Sequence, residues 1–245
     1  MRKLKMTVEY DGTNYHGWQR QKGLITIQQM LEVSIGKITQ ERVTVIGSGR
    51  TDAGVHALNQ SAHFKTDSNI AARNLLSGVN SLLPYDVVVK QLEEAPELFH
   101  ARFDVKSKVY MYQIFNNPIR SAIYRHYAWN IYPPLDLGAM GKGLSVFSGI
   151  HDFSSFCGKK EGDSDRVRTI TDACIDKKGR DLIRIYIEAD GFLRYMVRTI
   201  AGTLVEVGMG KRNPDELSDI LEAKNRSLAG ITAPPQGLFL MEVKY

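Results

Sequence analysis

Val43-Thr44-Val45-Ile46-Gly47-Ser48-Gly49-Arg50-Thr51-Asp52-Ala53-Gly54-Val55-His56-Ala57 is the stretch on which the reading of the fold turns. A short apolar run ends in three glycines within eight residues, with an arginine and a carboxylate between them. Glycine permits positive φ and close approach to the main chain, so the segment reads as a strand end that presents charged side chains. By itself it also fits a tight hairpin in which Asp52 bonds its own backbone as an Asx turn.

Working outward, Lys3 to Tyr10 alternates, with Leu4, Met6, Val8 and Tyr10 on one face and Lys3, Lys5, Thr7 and Glu9 on the other, as in a half-buried strand. Thr26 and Gln29 make a capping box for a helix whose inward stripe is Ile27, Met30, Leu31, Ile35 and Ile38. After the glycine stretch, a strand is expected through about Gln60 to Lys65. Ser68 then caps a helix with Leu75, Leu76, Val79, Leu82 and Leu83 inward, and Asp86 to Gln91 follows as a strand. The order is β-α-β-β-α-β.

The second half repeats the pattern without repeating the residues. Lys108 to Phe115 reads as a strand. Asp136 caps a helix with Leu137, Met140, Leu144 and Phe147 inward, and strands follow near Val167 to Lys177 and Leu182 to Ala189. A stronger helix carries Phe192, Met196, Val197, Ile200, Leu204 and Val207 on one face. Asn213-Pro214-Asp215-Glu216 opens a short helix, and Gly237 to Val243 supplies the last strand. The expectation is an α+β chain of two tandem ferredoxin-like domains, residues 1–104 and 105–245, whose antiparallel sheets flank a cleft. Single-stranded RNA readers share this order, but their basic-Gly-aromatic-Gly-aromatic signature is absent.

The totals narrow the class. At 43% hydrophobic residues, 245 residues suffice for real cores, yet no apolar run is long enough to span a bilayer. The basic opening Met1-Arg2-Lys3-Leu4-Lys5 is not followed by the apolar core of a signal peptide, so a cytoplasmic protein is expected. Cys157 and Cys174 are too few and too far apart for a disulfide framework or a cysteine zinc site. Lys and Arg number 32 against 27 Asp and Glu, a net +5 with an isoelectric point near 9.1, which is compatible with a polyanionic partner.

For chemistry, Arg50 and Asp52 are two apart, so a strand continuing through them would turn both side chains to one side. A guanidinium favours the ionised carboxylate, which could serve as nucleophile or base; an ordinary ion pair has the same spacing. The glycine spacing matches neither a phosphate-binding Walker loop nor a dinucleotide fingerprint. Tyr110 and Tyr112 share a strand face, fit either to stack on a base and handle a proton or simply to pack. Arg194 and Arg198, one helical turn apart with Tyr195 between, offer a basic edge for phosphates or for water. The six histidines show no HxxxH or HExxH spacing and no GxSxG elbow occurs, so no metal and no cofactor is expected.

Taken together, the blocks Tyr10-Asp11-Gly12-Thr13 with Gly17-Trp18-Gln19, Gly49 to Ala57, Phe99-His100-Ala101-Arg102-Phe103, Tyr110-Met111-Tyr112, His151 to Phe156, Met196-Val197-Arg198 and Ala233 to Leu238 resemble the tRNA pseudouridine synthase A family over essentially the whole chain. Asn59, where many members carry glycine, is a small departure. The resemblance implies a cofactor-free isomerase acting on uridine in the anticodon stem-loop of tRNA, at about positions 38 to 40, and a homodimer. It implies Asp52 as the essential carboxylate, Arg50 as its ion-pair partner and Tyr110 as the ring beside the target base, with Arg194 and Arg198 as candidate RNA contacts. The rival readings are a non-catalytic RNA-binding protein and a carboxylate-dependent N-glycosylase.

Overall fold

The structure is a computed structural model that describes residues 1–158 and 165–245. In chain order the elements are β1 (Arg2–Tyr10), α1 (Ile27–Thr39), β2 (Ile46–Gly47), β3 (His56–Thr66), α2 (Ala72–Leu82) and β4 (Val87–Glu94). They continue with β5 (Ser107–Asn116), β6 (Trp129–Ile131), α3 (Leu137–Ser145), β7 (Gly149–Asp152), β8 (Val167–Lys178), β9 (Leu182–Ala189), α4 (Met196–Gly208), α5 (Glu216–Glu222) and β10 (Leu238–Lys244). The architecture is mixed α+β and divides into two units, Met1–Lys106 with Phe239–Tyr245, and Ser107–Leu238.

In the first unit β1 is the central strand, antiparallel to β3 on one side and to β4 on the other. Its apolar face is realised, since Leu4, Met6, Val8 and Tyr10 are all fully buried, but Lys3, expected on the outer face, is buried too, its amine donating to the Glu97 and Phe99 carbonyls. The Thr26 hydroxyl accepts the Gln29 N–H and starts α1, whose Ile27, Leu31 and Ile35 enter the core while Met30 and Ile38 stay half-buried. The cap expected of Ser68 does not form. The Ser68 hydroxyl accepts the Ile70 N–H, and α2 begins at Ala72 behind an uncapped Ala71. Leu75 and Val79 carry the buried stripe, Leu83 is buried just past the helix, Leu76 is half-buried and Leu82 is exposed.

β10 lies beside β3 in parallel, Phe239 opposite His56 and Leu240 opposite Ala57. Asn59 bridges these strands, donating to the Met241 carbonyl at 2.7 Å while its own oxygen accepts from Lys90. The Phe99 to Phe103 block packs against β3, where the Ala101 N–H donates to His63 Nδ1 at 3.1 Å.

In the second unit β5, β9, β8 and β7 pair in that order, all antiparallel, and the short β6 adds to β5 in parallel. The Asp136 carboxylate accepts the Ala139 N–H and starts α3, as the sequence indicates. Met140, Leu144 and Phe147 are buried there, and α4 is buried along most of its length. No helix among the described residues is long and apolar enough to cross a membrane.

Candidate active site

β2 stops at Gly47 and β3 starts at His56, so Arg50 and Asp52 lie in the connecting loop and not in a continuing strand. No strand pleat therefore turns the two side chains to one face. The loop takes its shape from a turn and from packing. The Val55 N–H donates to the Asp52 carbonyl at 3.2 Å, with Gly54 at φ 77°, a turn of the kind that requires positive φ at its third residue.

The preceding segment, residues 10–18, forms a cradle for that turn. Thr51 is buried, its hydroxyl 2.9 Å from the buried Tyr10 hydroxyl, and its carbonyl accepts the Trp18 N–H at 3.1 Å. Burial pushes the Tyr10 phenol well above the usual tyrosine range, outweighing its hydrogen bonds to Thr51 and Gln60, so it stays a neutral anchor. The Gly54 N–H reaches the Tyr15 carbonyl at 3.3 Å. Gly17 sits at φ 82°, and a Cβ there would stand 2.4 Å from the Thr51 carbonyl oxygen. Only glycine lets the two segments come this close.

Histidine 56 has a structural place. The Gly12 N–H donates to His56 Nδ1 at 3.0 Å, so that nitrogen carries a lone pair. The Asp11 carboxylate 3.1 Å from the same nitrogen is instead engaged by the Thr13 N–H and hydroxyl. His56 also stacks on Phe239 with ring centroids 4.6 Å apart.

Asp52 is half-buried and Arg50 is exposed. Arg50 donates from Nε to Gln19 Oε1 at 3.1 Å. Gln19 stands in the Gly17-Trp18-Gln19 block, 31 residues from Arg50, a separation over which no local pattern connects the two. Behind it stand Gln28 and Glu32, both buried polar residues on α1 that the sequence reading passed over. Their spacing of one helical turn beside the Ile27, Leu31 and Ile35 stripe is the signal that marks them.

In the second unit, Tyr110 is buried on β5 opposite Ile187 and meets Phe192 edge to face, with ring centroids 4.9 Å apart. Tyr112 is fully buried and donates its hydroxyl to the Pro234 carbonyl at 2.8 Å. Burial drives its phenol far above the usual range despite the nearby Arg198.

α4 starts at Met196, later than the apolar periodicity suggests, because Tyr195 adopts φ 66° and acts as its N-cap. Arg194 thus precedes the helix. The left-handed turn gathers both arginines on one ring, with Arg194 4.6 Å and Arg198 5.2 Å from the Tyr195 centroid. Arg198 is further fixed by donating from Nε to the Ala233 carbonyl at 2.7 Å. Among the described residues no group of three or more His, Cys, Asp or Glu could hold a metal ion.

Comparisons with known proteins place the chain in a family. The family model described as tRNA pseudouridine synthase matches residues 6–104 and 144–245. A relative from Thermoanaerobacter sp. (strain X514), named tRNA pseudouridine synthase A, is 49% identical over 245 residues, covering 100% of both chains. Relatives of the same name from Caldicellulosiruptor saccharolyticus and Acetivibrio thermocellus are 46% and 45% identical, again with 100% of each chain covered. With the matched blocks spanning both units and identity sustained end to end, the chain belongs to the tRNA pseudouridine synthase family, a family of isomerases.

Proposed function

We propose that this protein converts uridine to pseudouridine in the anticodon stem-loop of tRNA, at about positions 38 to 40, with Asp52 as the essential carboxylate. What supports Asp52 is its setting: a half-buried aspartate in a loop shaped by the Tyr10 and Thr51 hydroxyls and by the Gly17 contact. In the reaction the bond from C1′ to N1 breaks, the uracil turns, and C1′ rejoins C5. The C5 proton is lost and N1 gains one, so the product is an isomer. Asp52 attacks C1′, attacks C6 or removes a ribose proton. Arg50 is its ion-pair partner, and Tyr110 stacks beside the target base.

The target nucleotide must leave the helical stack, at a cost of about a few kcal/mol, which calls for contacts to the RNA backbone. Arg194 and Arg198, gathered on Tyr195, are suited to phosphates. We further propose two ferredoxin-like domains, expected from sequence at 1–104 and 105–245, with the last segment, Phe239–Tyr245, belonging to the first unit and not to the second. A homodimer working without cofactor in the cytoplasm completes the reading.

Tritium release from C5-labelled uridine in tRNA tests it, with nucleotide-resolution mapping of the product. Asp52→Ala should retain tRNA binding and release no tritium. Release at the wild-type rate would remove Asp52 from the chemistry, and free uracil in place of pseudouridine would make the protein a glycosylase.

A further inference from the structure

We infer that Gln19, Gln28 and Glu32 are positioning residues that fix the direction of the Arg50 guanidinium through a polarised relay of amides. The inference rests on the proposed role of Arg50 beside Asp52. It starts from the buried end. The Glu32 side chain is 6% exposed and its Oε2 accepts from Arg20 Nη1 at 2.9 Å. Its Oε1 accepts from the Val45 N–H and from Gln28 Nε2, each at 3.1 Å.

An ionised carboxylate only accepts hydrogen bonds, so the Gln28 amide must turn its NH2 toward Glu32. The same NH2 donates to the Val45 carbonyl at 3.0 Å. Gln28 Oε1 then faces outward, where it accepts the Arg20 backbone N–H at 2.8 Å and Gln19 Nε2 at 2.7 Å. Gln19, committed to donating there, presents its Oε1 to Arg50 Nε at 3.1 Å. Glu32 Oε1 and the Val45 carbonyl on one side and the Arg20 N–H on the other all set the Gln28 amide the same way, and Gln28 Oε1 in turn sets Gln19.

The same residues hold the chain upstream of the loop. Gln28 and Glu32 take both backbone polar groups of Val45, which stands just before β2. Arg50 is therefore aimed through its side chain and through the strand that leads to it.

Gln19→Met keeps the length of the side chain and removes both polar ends. Under single-turnover conditions it should slow pseudouridine formation about tenfold, since a misplacement on the scale of an ångström costs up to about 10²-fold. The Kd for tRNA should change less than twofold and Tm should not move. In an Arg50→Met background, Gln19→Met should add no further loss, because a residue acting through Arg50 has nothing left to position.

A wild-type rate for Gln19→Met overturns the inference. So does an equal fold-loss in the Arg50→Met background, or a loss confined to Kd. Glu32→Gln keeps the volume but sets an NH2 either against the Arg20 guanidinium or against the Val45 N–H and the Gln28 amide; an unchanged rate there overturns the claim that Glu32 anchors the relay. If Arg50→Met itself turns over at the wild-type rate, the assignment of Arg50 fails, a result distinct from an essential Arg50 beside an inert Gln19.

Discussion

The Tyr10 hydroxyl, at the end of the central strand β1, lies 2.9 Å from the hydroxyl of Thr51, the residue immediately before Asp52. A strand paired on both sides thus holds the candidate catalytic loop through a buried pair of hydroxyls. Tyr10→Phe leaves the packing and strands the Thr51 hydroxyl. With its bonds to Thr51 and Gln60 both lost, it should cost about 1–3 kcal/mol of stability. Urea unfolding measures this, and the rate of tritium release should fall by a larger factor than stability alone accounts for. An unchanged rate would make the pair a purely structural contact.

Gly17→Ala should be more severe. A side chain at φ 82° is strained by about 1–3 kcal/mol, and the added Cβ meets the Thr51 carbonyl at 2.4 Å. The loop must move away, carrying Asp52 with it. Thermal unfolding should show lowered Tm and the activity assay a rate reduced beyond tenfold in rough terms. A variant with wild-type activity would show that the loop tolerates displacement.

His63 gives the stability a pH dependence. It is buried, it spends Nδ1 on the Ala101 N–H, and it faces His100 at 4.9 Å between ring centroids. Burial first, and then His100, Lys3 and Lys65 against the weaker pull of Asp104, hold its pKa down from 6.5 to about 4. In this window the unfolded chain binds a proton that the folded protein refuses. Stability is therefore full above about pH 6.5 and declines as pH falls toward about 4. Denaturant unfolding across that range should show the decline, and His63→Gln, which can still accept the Ala101 N–H, should flatten it. An equally steep loss in the variant would assign it to other groups.

Arg194 and Arg198 share the Tyr195 ring but differ in freedom, since Arg198 is tied to the Ala233 carbonyl and Arg194 is exposed. If Arg194 meets a phosphate, Arg194→Ala should reduce the slope of log K for tRNA against log salt by about 0.7 to 0.9. Binding titrations at several salt concentrations read this. An unaltered slope would place Arg194 outside the RNA contact.

Much of the fold was legible locally. Strand β1 announced itself by alternation, and α1 and α3 by Thr26 and Asp136, because caps and periodicity depend on residues within one turn of each other. Where a competing local bond existed the reading failed, as at Ser68, whose hydroxyl closed a tighter turn onto Ile70. The start of α4 failed for a related reason: apolar periodicity continues through Phe192 while the backbone reverses at Tyr195.

The candidate site divides in the same way. From sequence alone, Asp52 and Arg50 stood out as a charged pair framed by glycines, and the family resemblance supplied a chemistry for them. Their surroundings came from contacts across the chain: Tyr10 to Thr51 spans 41 residues, and the parallel pairing of Phe239 with His56 joins the last strand to the end of the loop. Gln28 and Glu32 looked like ordinary polar helix positions until folding closed Arg20, Val45 and Gln19 over them. Sequence determined which residues carry charge and which elements form, because those follow from side-chain chemistry and short-range geometry. Tertiary structure alone decided which amide faces which carboxylate and hence where Arg50 is aimed, because that direction is set by burial of an acceptor far from the charge it orients.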